Sequence, residues 1–305
     1  MHHFGICCRR LRQLRTRNHA VCRLRNAVGT WKVVHLVTWA GSVSGEPPRP
    51  GVVSGYADAV NLSAFAPVPP AHAYPGLFIS FEGGDGVGKT TQIERLSTLL
   101  VAARIAYRRT REPGGTELGG QIRDLLLHGG QVSPRAEALL YAADRAHHVA
   151  TVVRPALARG EVVLTDRYLD SSIAYQGAAR ALGAQEVRDL SLWATEGLLP
   201  DLTILLDADT AVSGRRAGAR GRRDRLEREP DAFHTALREQ FRVLARQEPE
   251  RIKVVDADRP VGEVAAEVSG LVESLIVAHG TDAQLNAFRT AVSRASRPAL
   301  HGPRG

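Results

Sequence analysis

The run Gly83-Gly84-Asp85-Gly86-Val87-Gly88-Lys89-Thr90 fits the pattern G-x-x-x-x-G-K-[ST], with Thr91 next. Glycines at this spacing let backbone N–H groups converge on phosphate oxygens, and a helix starting at the loop's end adds its positive dipole. Lys89 can bring an ammonium to the β- and γ-phosphates, and the Thr90 hydroxyl is the kind of ligand Mg²⁺ accepts. The chemistry implied is binding of a nucleoside triphosphate with Mg²⁺. ATPases, GTPases and kinases share such loops, so the reaction stays open at this point. A second candidate is Val162-Val163-Leu164-Thr165-Asp166-Arg167, an apolar run ending in an acid and a base. Asp166 suits Mg²⁺, directly or through water, and the Arg167 fork suits another phosphate.

These residues need a scaffold that delivers them to one edge. Leu77–Phe81 is apolar nearly throughout, as a buried parallel strand is. Ile93, Leu96, Leu99, Leu100 and Ala103 then recur at helical spacing over 90–104. Similar short apolar runs occupy 162–164, 202–206 and 252–255. Helical patterns over 134–158, 185–197, 230–247 and 261–278 separate them, the first opening on Ser133 and Pro134. Strands alternating with helices predict an α/β fold, a three-layer sandwich of the P-loop NTPase type around a central parallel sheet. Its ligands belong at the carboxyl ends of the strands. Trp193 is expected in the core.

The chain has 305 residues, 44% apolar and 24% charged, ample for a large core. No apolar run reaches 18 residues; Val33–Val43 is short and contains His35, so no membrane partner is expected. The three cysteines all fall by position 22, which excludes a disulfide scaffold for the rest. His147, His148 and His234 lack zinc-site spacing. The net charge of +8 is unevenly placed. Residues 1–75 hold nine basic groups against two acidic, residues 279–305 four against one, and the middle 27 against 29. The basic character belongs to the ends, so no nucleic-acid partner is expected of residues 76–278. Residues 1–75 show no sustained period and are rich in Pro and Gly in their second half. They read either as a disordered extension or as sequence upstream of the native start, Met1 being the only methionine. Residues 279–305 are expected to be a frayed or disordered tail.

Further motifs stand in a fixed order: Arg111-Glu112-Pro113-Gly114-Gly115-Thr116; Ser133 to Arg145; Asp166-Arg167-Tyr168 followed by Ser171-Ser172 and Ala174-Tyr175-Gln176-Gly177; and Asp224-Arg225-Leu226-Glu227. With Phe81 to Thr91, they resemble the bacterial thymidylate kinases over about 200 residues, 76–278. The resemblance implies transfer of a phosphoryl group from ATP-Mg²⁺ to dTMP in the cytoplasm, a homodimer, and a mobile basic lid at about 208–226. It implies that Gly83 to Thr91 bind ATP, that Thr90, Asp85 and Asp166 serve the metal, and that Lys89, Asp85 and Arg167 are catalytic. Arg111, Glu112, Pro113, Arg167, Ser172, Tyr175 and Gln176 would bind dTMP, with Tyr141 stacking on thymine where relatives carry Phe. Tyr141 and Arg145 lie four apart, hence on one helix face. There Arg145 would donate to a base carbonyl and reject a cytosine amino group.

Six arginines crowd Gly214 to Arg225. Some thymidylate kinases carry an arginine after the phosphate-loop acid, whereas here Gly86 follows Asp85; the resemblance to the bacterial type therefore implies that the catalytic cation comes from this lid, with Arg220 and Arg222 the candidates and Arg215 beside ATP. The alternative is another nucleotide or deoxynucleoside kinase on the same core.

Overall fold

The computed structural model describes residues 74–210, 212–214 and 224–296, and the backbone of 20–25 and 31–36. Contacts divide the chain into units of residues 1–61 and 62–305. In the first, β1 (Ala20–Arg25) pairs antiparallel with β2 (Trp31–Leu36). The reading of 1–75 as an extension otherwise lies outside the described residues.

The second unit is built on a parallel five-stranded sheet in the order β4-β5-β3-β6-β7. The strands are β3 (Leu77–Glu82), β4 (Tyr107–Arg111), β5 (Val162–Asp166), β6 (Leu202–Asp207) and β7 (Ile252–Asp256). The helices are α1 (Lys89–Ala102), α2 (Glu117–Leu127), α3 (Pro134–His148), α4 (Arg154–Ala158), α5 (Leu169–Ser172), α6 (Ala184–Thr195), α7 (Asp231–Gln247), α8 (Val261–His279) and α9 (Asp282–Ala295). Side chains alternate across the central strand. Leu77, Ile79 and Phe81 join Ile93, Leu96 and Leu100 of α1 and Val264, Val268 and Val272 of α8 in one core. Phe78 joins the opposite core with Leu157, Tyr168 and Phe241. Burial on both faces is why β3 reads as one apolar run.

The structure adds elements that the periodicity does not announce. Tyr107–Arg111 carries three arginines in five residues, and Arg108 and Arg109 are exposed at the sheet's edge. Charge on an edge strand blocks further pairing. The helical pattern over 134–158 is interrupted by a π-helical turn at Val149–Val153, just ahead of Pro155, which has no N–H to continue the ladder. Trp193 is 70% exposed on α6, so the core assignment for it fails.

The expectation of a disordered tail is overturned for Asp282–Ala295. Thr281 and Gln284 form a capping box at its start. Phe288 is fully buried and Ala291 nearly so, within the core built by α1 and α8. The weak stripe of Leu285, Phe288 and Val292 suffices because two helices are waiting to receive it; residues 297–305 lie outside the described set. Phe288→Ala should lower the unfolding free energy by about 3 kcal/mol, the scale for emptying a buried aromatic site. Urea denaturation measures this, and a loss below about 1 kcal/mol would show that α9 does not complete the core.

Candidate functional site

The carboxyl ends of β3, β4 and β5 and the loop after β7 open on one cleft of about 680 Å³. The chain leaves β3 at Glu82 and turns through 83–88 into α1. Gly83 has φ +127°, and a Cβ there would stand 2.3 Å from the Leu206 carbonyl oxygen. Gly88 has φ +103° and precedes α1, whose N-terminus takes no side-chain cap. The first-turn N–H groups therefore stay available to an anion. Lys89 is buried and donates from Nζ to the carbonyls of Gly83 (3.1 Å) and Gly84 (2.7 Å). Burial, then the nearby Arg167 guanidinium, pull its ammonium down to about 8.

Arg167 holds φ +71°, an uncommon value for a side-chain-bearing residue. Its N–H donates to the Phe81 carbonyl, and its own carbonyl accepts from the Thr165 hydroxyl. So held, its guanidinium donates to Gly83 O (2.9 Å), Ser171 Oγ (3.0 Å) and Asp85 Oδ1 (2.6 Å). It also lies 5.0 Å over the Tyr175 ring, whose hydroxyl donates to Asp85 Oδ2 (3.0 Å). Burial alone would push Asp85 up, but Arg167 and Lys89 outweigh it and hold the carboxyl at about 2. Behind this pair, Glu82 accepts from Tyr168 N–H (2.7 Å) and from the Ser171 hydroxyl (2.5 Å). Burial and Asp170 push Glu82 up to about 8.

On the other wall, α3 carries Tyr141 and Arg145 on its buried face. Tyr141 lines the cleft, and its hydroxyl has no hydrogen-bond partner among the described residues. Arg145 is 2% exposed. Its Nε donates to Glu112 Oε2 (2.7 Å), Nη1 to Ser191 Oγ (3.1 Å), and Nη2 to Tyr168 O (3.2 Å) and Ser172 Oγ (3.0 Å). A guanidinium has five N–H groups, so one remains without a partner among the described residues. Gln176 donates its amide to Glu137 Oε1 (2.9 Å). Glu112 precedes a cis peptide to Pro113, and its two oxygens face Arg145 and His148 rather than the cleft.

The expected residues thus gather at one site: Asp85 to Thr91, Arg111, Glu112, Pro113, Tyr141, Arg145, Asp166, Arg167, Ser172, Tyr175 and Gln176 all line it. Gly83 and Gly84 shape the loop from beneath. Arg215, Arg220 and Arg222 fall outside the described residues. Arg225, in the segment expected to form the lid, donates to the Leu126 carbonyl (2.9 Å) and to Glu137. Sequence reading missed Arg123 of α2, which lines the cleft and donates to Pro113 O (3.0 Å). Burial and the adjacent Arg111 lower its pKa. It also missed Ala257 and Arg259 after β7. Arg123 sits about two turns beyond Thr116, which caps α2, and nothing in that spacing marks it as a site residue.

Comparison with known proteins agrees with this geometry. A family model described as thymidylate kinase matches residues 81–268. A thymidylate kinase of Leifsonia xyli subsp. xyli is 65% identical over 196 residues, 64% of this chain and 93% of the relative. One from Clavibacter michiganensis subsp. michiganensis is 60% identical over 205 residues, 67% of this chain and 97% of the relative. One from Bifidobacterium longum is 54% identical over 205 residues, 66% and 98% respectively.

One buried group on this wall sets a pH-dependent stability. Asp144 accepts from Gly114 N–H (3.3 Å) through Oδ1, while Oδ2 is buried without a partner among the described residues. Burial, then Glu112, push it up to about 6. A raised carboxyl binds its proton more tightly folded than unfolded. It therefore opposes folding increasingly as pH rises from about 4 through 6, and fully above. Asp144→Asn should stabilise the protein at pH 8 by up to about 3 kcal/mol, with the gain gone near pH 4. Thermal unfolding across pH 4–8 measures it; a gain independent of pH would contradict the assignment.

Proposed function

The chain belongs to the thymidylate kinase family and transfers the γ-phosphoryl group of ATP to dTMP, giving dTDP; we propose that its residues divide that work as follows. The observation that carries the division is the 2.6 Å contact of Arg167 with Asp85, which brings a second anion-binding group against the phosphate loop. ATP places its phosphates under the N–H groups of 83–91 and the Lys89 ammonium. Lys89 exchanges its loop carbonyls for phosphate oxygens. The dTMP phosphate lies against Arg167, with Arg111 and Arg123 supplying charge from β4 and α2.

An oxygen of that phosphate then attacks the γ-phosphorus in line. The bond from phosphorus to the β,γ-bridging oxygen breaks, and ADP leaves with the electron pair. Such a transition state is metaphosphate-like, so positioning and charge are most of the catalysis. The attacking phosphate is already ionised and Asp85 is held low, so Asp85 orients Arg167 and Tyr175 rather than taking a proton. Arg220 and Arg222 are the lid candidates for neutralising the transferring group, and Arg215 for the ATP side.

The donors around the phosphates are oxygens of Thr90, Asp166 and Asp85, which suits a hard cation. Among the described residues no three acidic or thiol/imidazole groups form a closed metal cage. That fits Mg²⁺, which keeps water and phosphate ligands and takes one or two from protein. Thr90 and Asp166 would hold it, and Asp85 less directly, since both its oxygens are engaged. When bound it would neutralise charge on the β- and γ-phosphates.

Tyr141 stacks on thymine and Arg145 donates its remaining N–H to a base carbonyl. Ser172 and Gln176 complete the wall, and Tyr175 lies toward the sugar. Among the described residues no helix is long and apolar enough to cross a membrane; the place of action is the cytoplasm, where dTMP and ATP meet. Leu118 and Leu125 of α2, Leu139 of α3 and Trp193 of α6 are exposed on helices that pack together. This apolar set supports a homodimer through α2, α3 and α6.

Lys89→Ala should lower turnover by at least about 100-fold, the scale of losing one preorganised charge donor, with an unchanged circular dichroism spectrum. Near-wild-type turnover would overturn the phosphate assignment. For the dimer, sedimentation should give twice the 33.0 kDa chain mass, falling to one chain in Trp193→Lys. A wild-type protein at the single-chain mass would refute it.

A further inference from the structure

His148 is fully buried at the end of α3 and does not line the cleft, so nothing above uses it. Its surroundings are nonetheless polar and ordered. Nδ1 lies 2.8 Å from Glu112 Oε1, and Nε2 lies 2.6 Å from Thr110 Oγ1. The other Glu112 oxygen takes the Arg145 Nε–H. We propose that His148 is a positioning residue for base recognition: it fixes the Glu112 carboxylate, which aims the Arg145 guanidinium at the bound pyrimidine. The proposal rests on Arg145 reading the base.

Donor chemistry sets the direction of the relay. An ionised carboxylate paired with arginine has only acceptors to offer, so Nδ1 carries the proton toward Glu112. Nε2 meets the Thr110 hydroxyl, which can either donate or accept there. A glutamate held by arginine alone keeps a broad terminal torsion. Tied at both oxygens, it keeps one orientation, and the Arg145 Nε–H has one place to go. This is the arrangement by which outer partners orient the groups that meet a ligand. The loop of 113–116 closes the assembly: a Cβ on Gly115 would stand 2.7 Å from the imidazole and from Thr110 Oγ1. Four of the five Arg145 N–H groups are held by Glu112, Ser191, Tyr168 and Ser172. The direction of the fifth therefore depends on how well those four are kept, and Glu112 is the only charged partner among them.

The test uses the full chain and separates base reading from stability. Calorimetric titration with dTMP, dCMP and ATP is run on wild type, His148→Leu, His148→Asn and Glu112→Gln. Leucine refills the space without the donor, and asparagine restores an N–H at the Nδ1 position. Glutamine at 112 turns an amide N–H against the ring, and carries the test if the leucine variant does not fold. His148→Leu and Glu112→Gln should each weaken dTMP binding by about tenfold, the scale of one lost hydrogen bond to a charged group. They should narrow the preference for dTMP over dCMP and leave ATP within twofold. His148→Asn should recover most of the dTMP affinity, and the Leu/Gln double variant should be no worse than either single. The proposal is overturned if His148→Leu and Glu112→Gln keep dTMP affinity and preference within twofold, or if dTMP and ATP weaken in parallel with thermal stability. Arg145→Ala separates the two levels. If it erases the preference while His148→Leu does not, the relay alone fails. If it leaves the preference intact, the reading of Arg145 fails with it.

Discussion

Asp85 and Arg167 meet at 2.6 Å across the ends of two neighbouring strands, and the site depends on that contact. A phosphate loop alone binds one nucleotide; an arginine at the end of β5 alone binds one anion. Joined, they bring the arginine's guanidinium against the phosphate loop, so that two anion-binding groups share one cleft. The contact has to be assembled against resistance. Arg167 sits at φ +71°, a conformation that persists only where neighbours over-determine it. The Phe81 carbonyl, the Thr165 hydroxyl, Gly83 O and Ser171 Oγ do so. Buried Glu82 stands behind Ser171 as the acceptor that completes the chain.

The opposite wall follows a different rule. There the titratable groups are deep: Glu112, Asp144, Arg145 and His148 are all buried. Isolated charges in such a place would be expelled or neutralised. The Glu112–Arg145 pair survives because most of its polar atoms are satisfied, and Asp144 Oδ2, which has no partner among the described residues, belongs to the group whose proton affinity rises.

Much of this was legible in the residues. Leu77–Phe81, 162–164 and 202–206 are largely apolar because both faces of an inner strand are covered; 252–255 also falls in the sheet, but as the edge strand β7, where Val254 is exposed. The phosphate loop is legible because few sequences satisfy its backbone demands. Tyr107–Arg111 escaped notice because an edge strand need not be apolar. Arg123 escaped because its spacing from Thr116 carries no signature; only packing of α2 against the loop at Pro113 turns it inward. Asp282–Ala295 escaped because its stripe is weak by itself, and Trp193 misled because a large aromatic is no guide to which side of α6 faces out.

By itself the sequence determined the fold class and the phosphate loop, because these rest on local backbone geometry and on burial patterns written in residue order; most other residues that line the cleft were named only through the motifs shared with the thymidylate kinases. The tertiary structure alone decided who touches whom: Asp85 on Arg167, Glu112 turned away from the cleft toward Arg145 and His148, Arg123 turned into it, and Phe288 seated in the core. Those contacts join residues tens of positions apart. Their geometry follows from how strands order themselves and helices pack, which no spacing along the chain records.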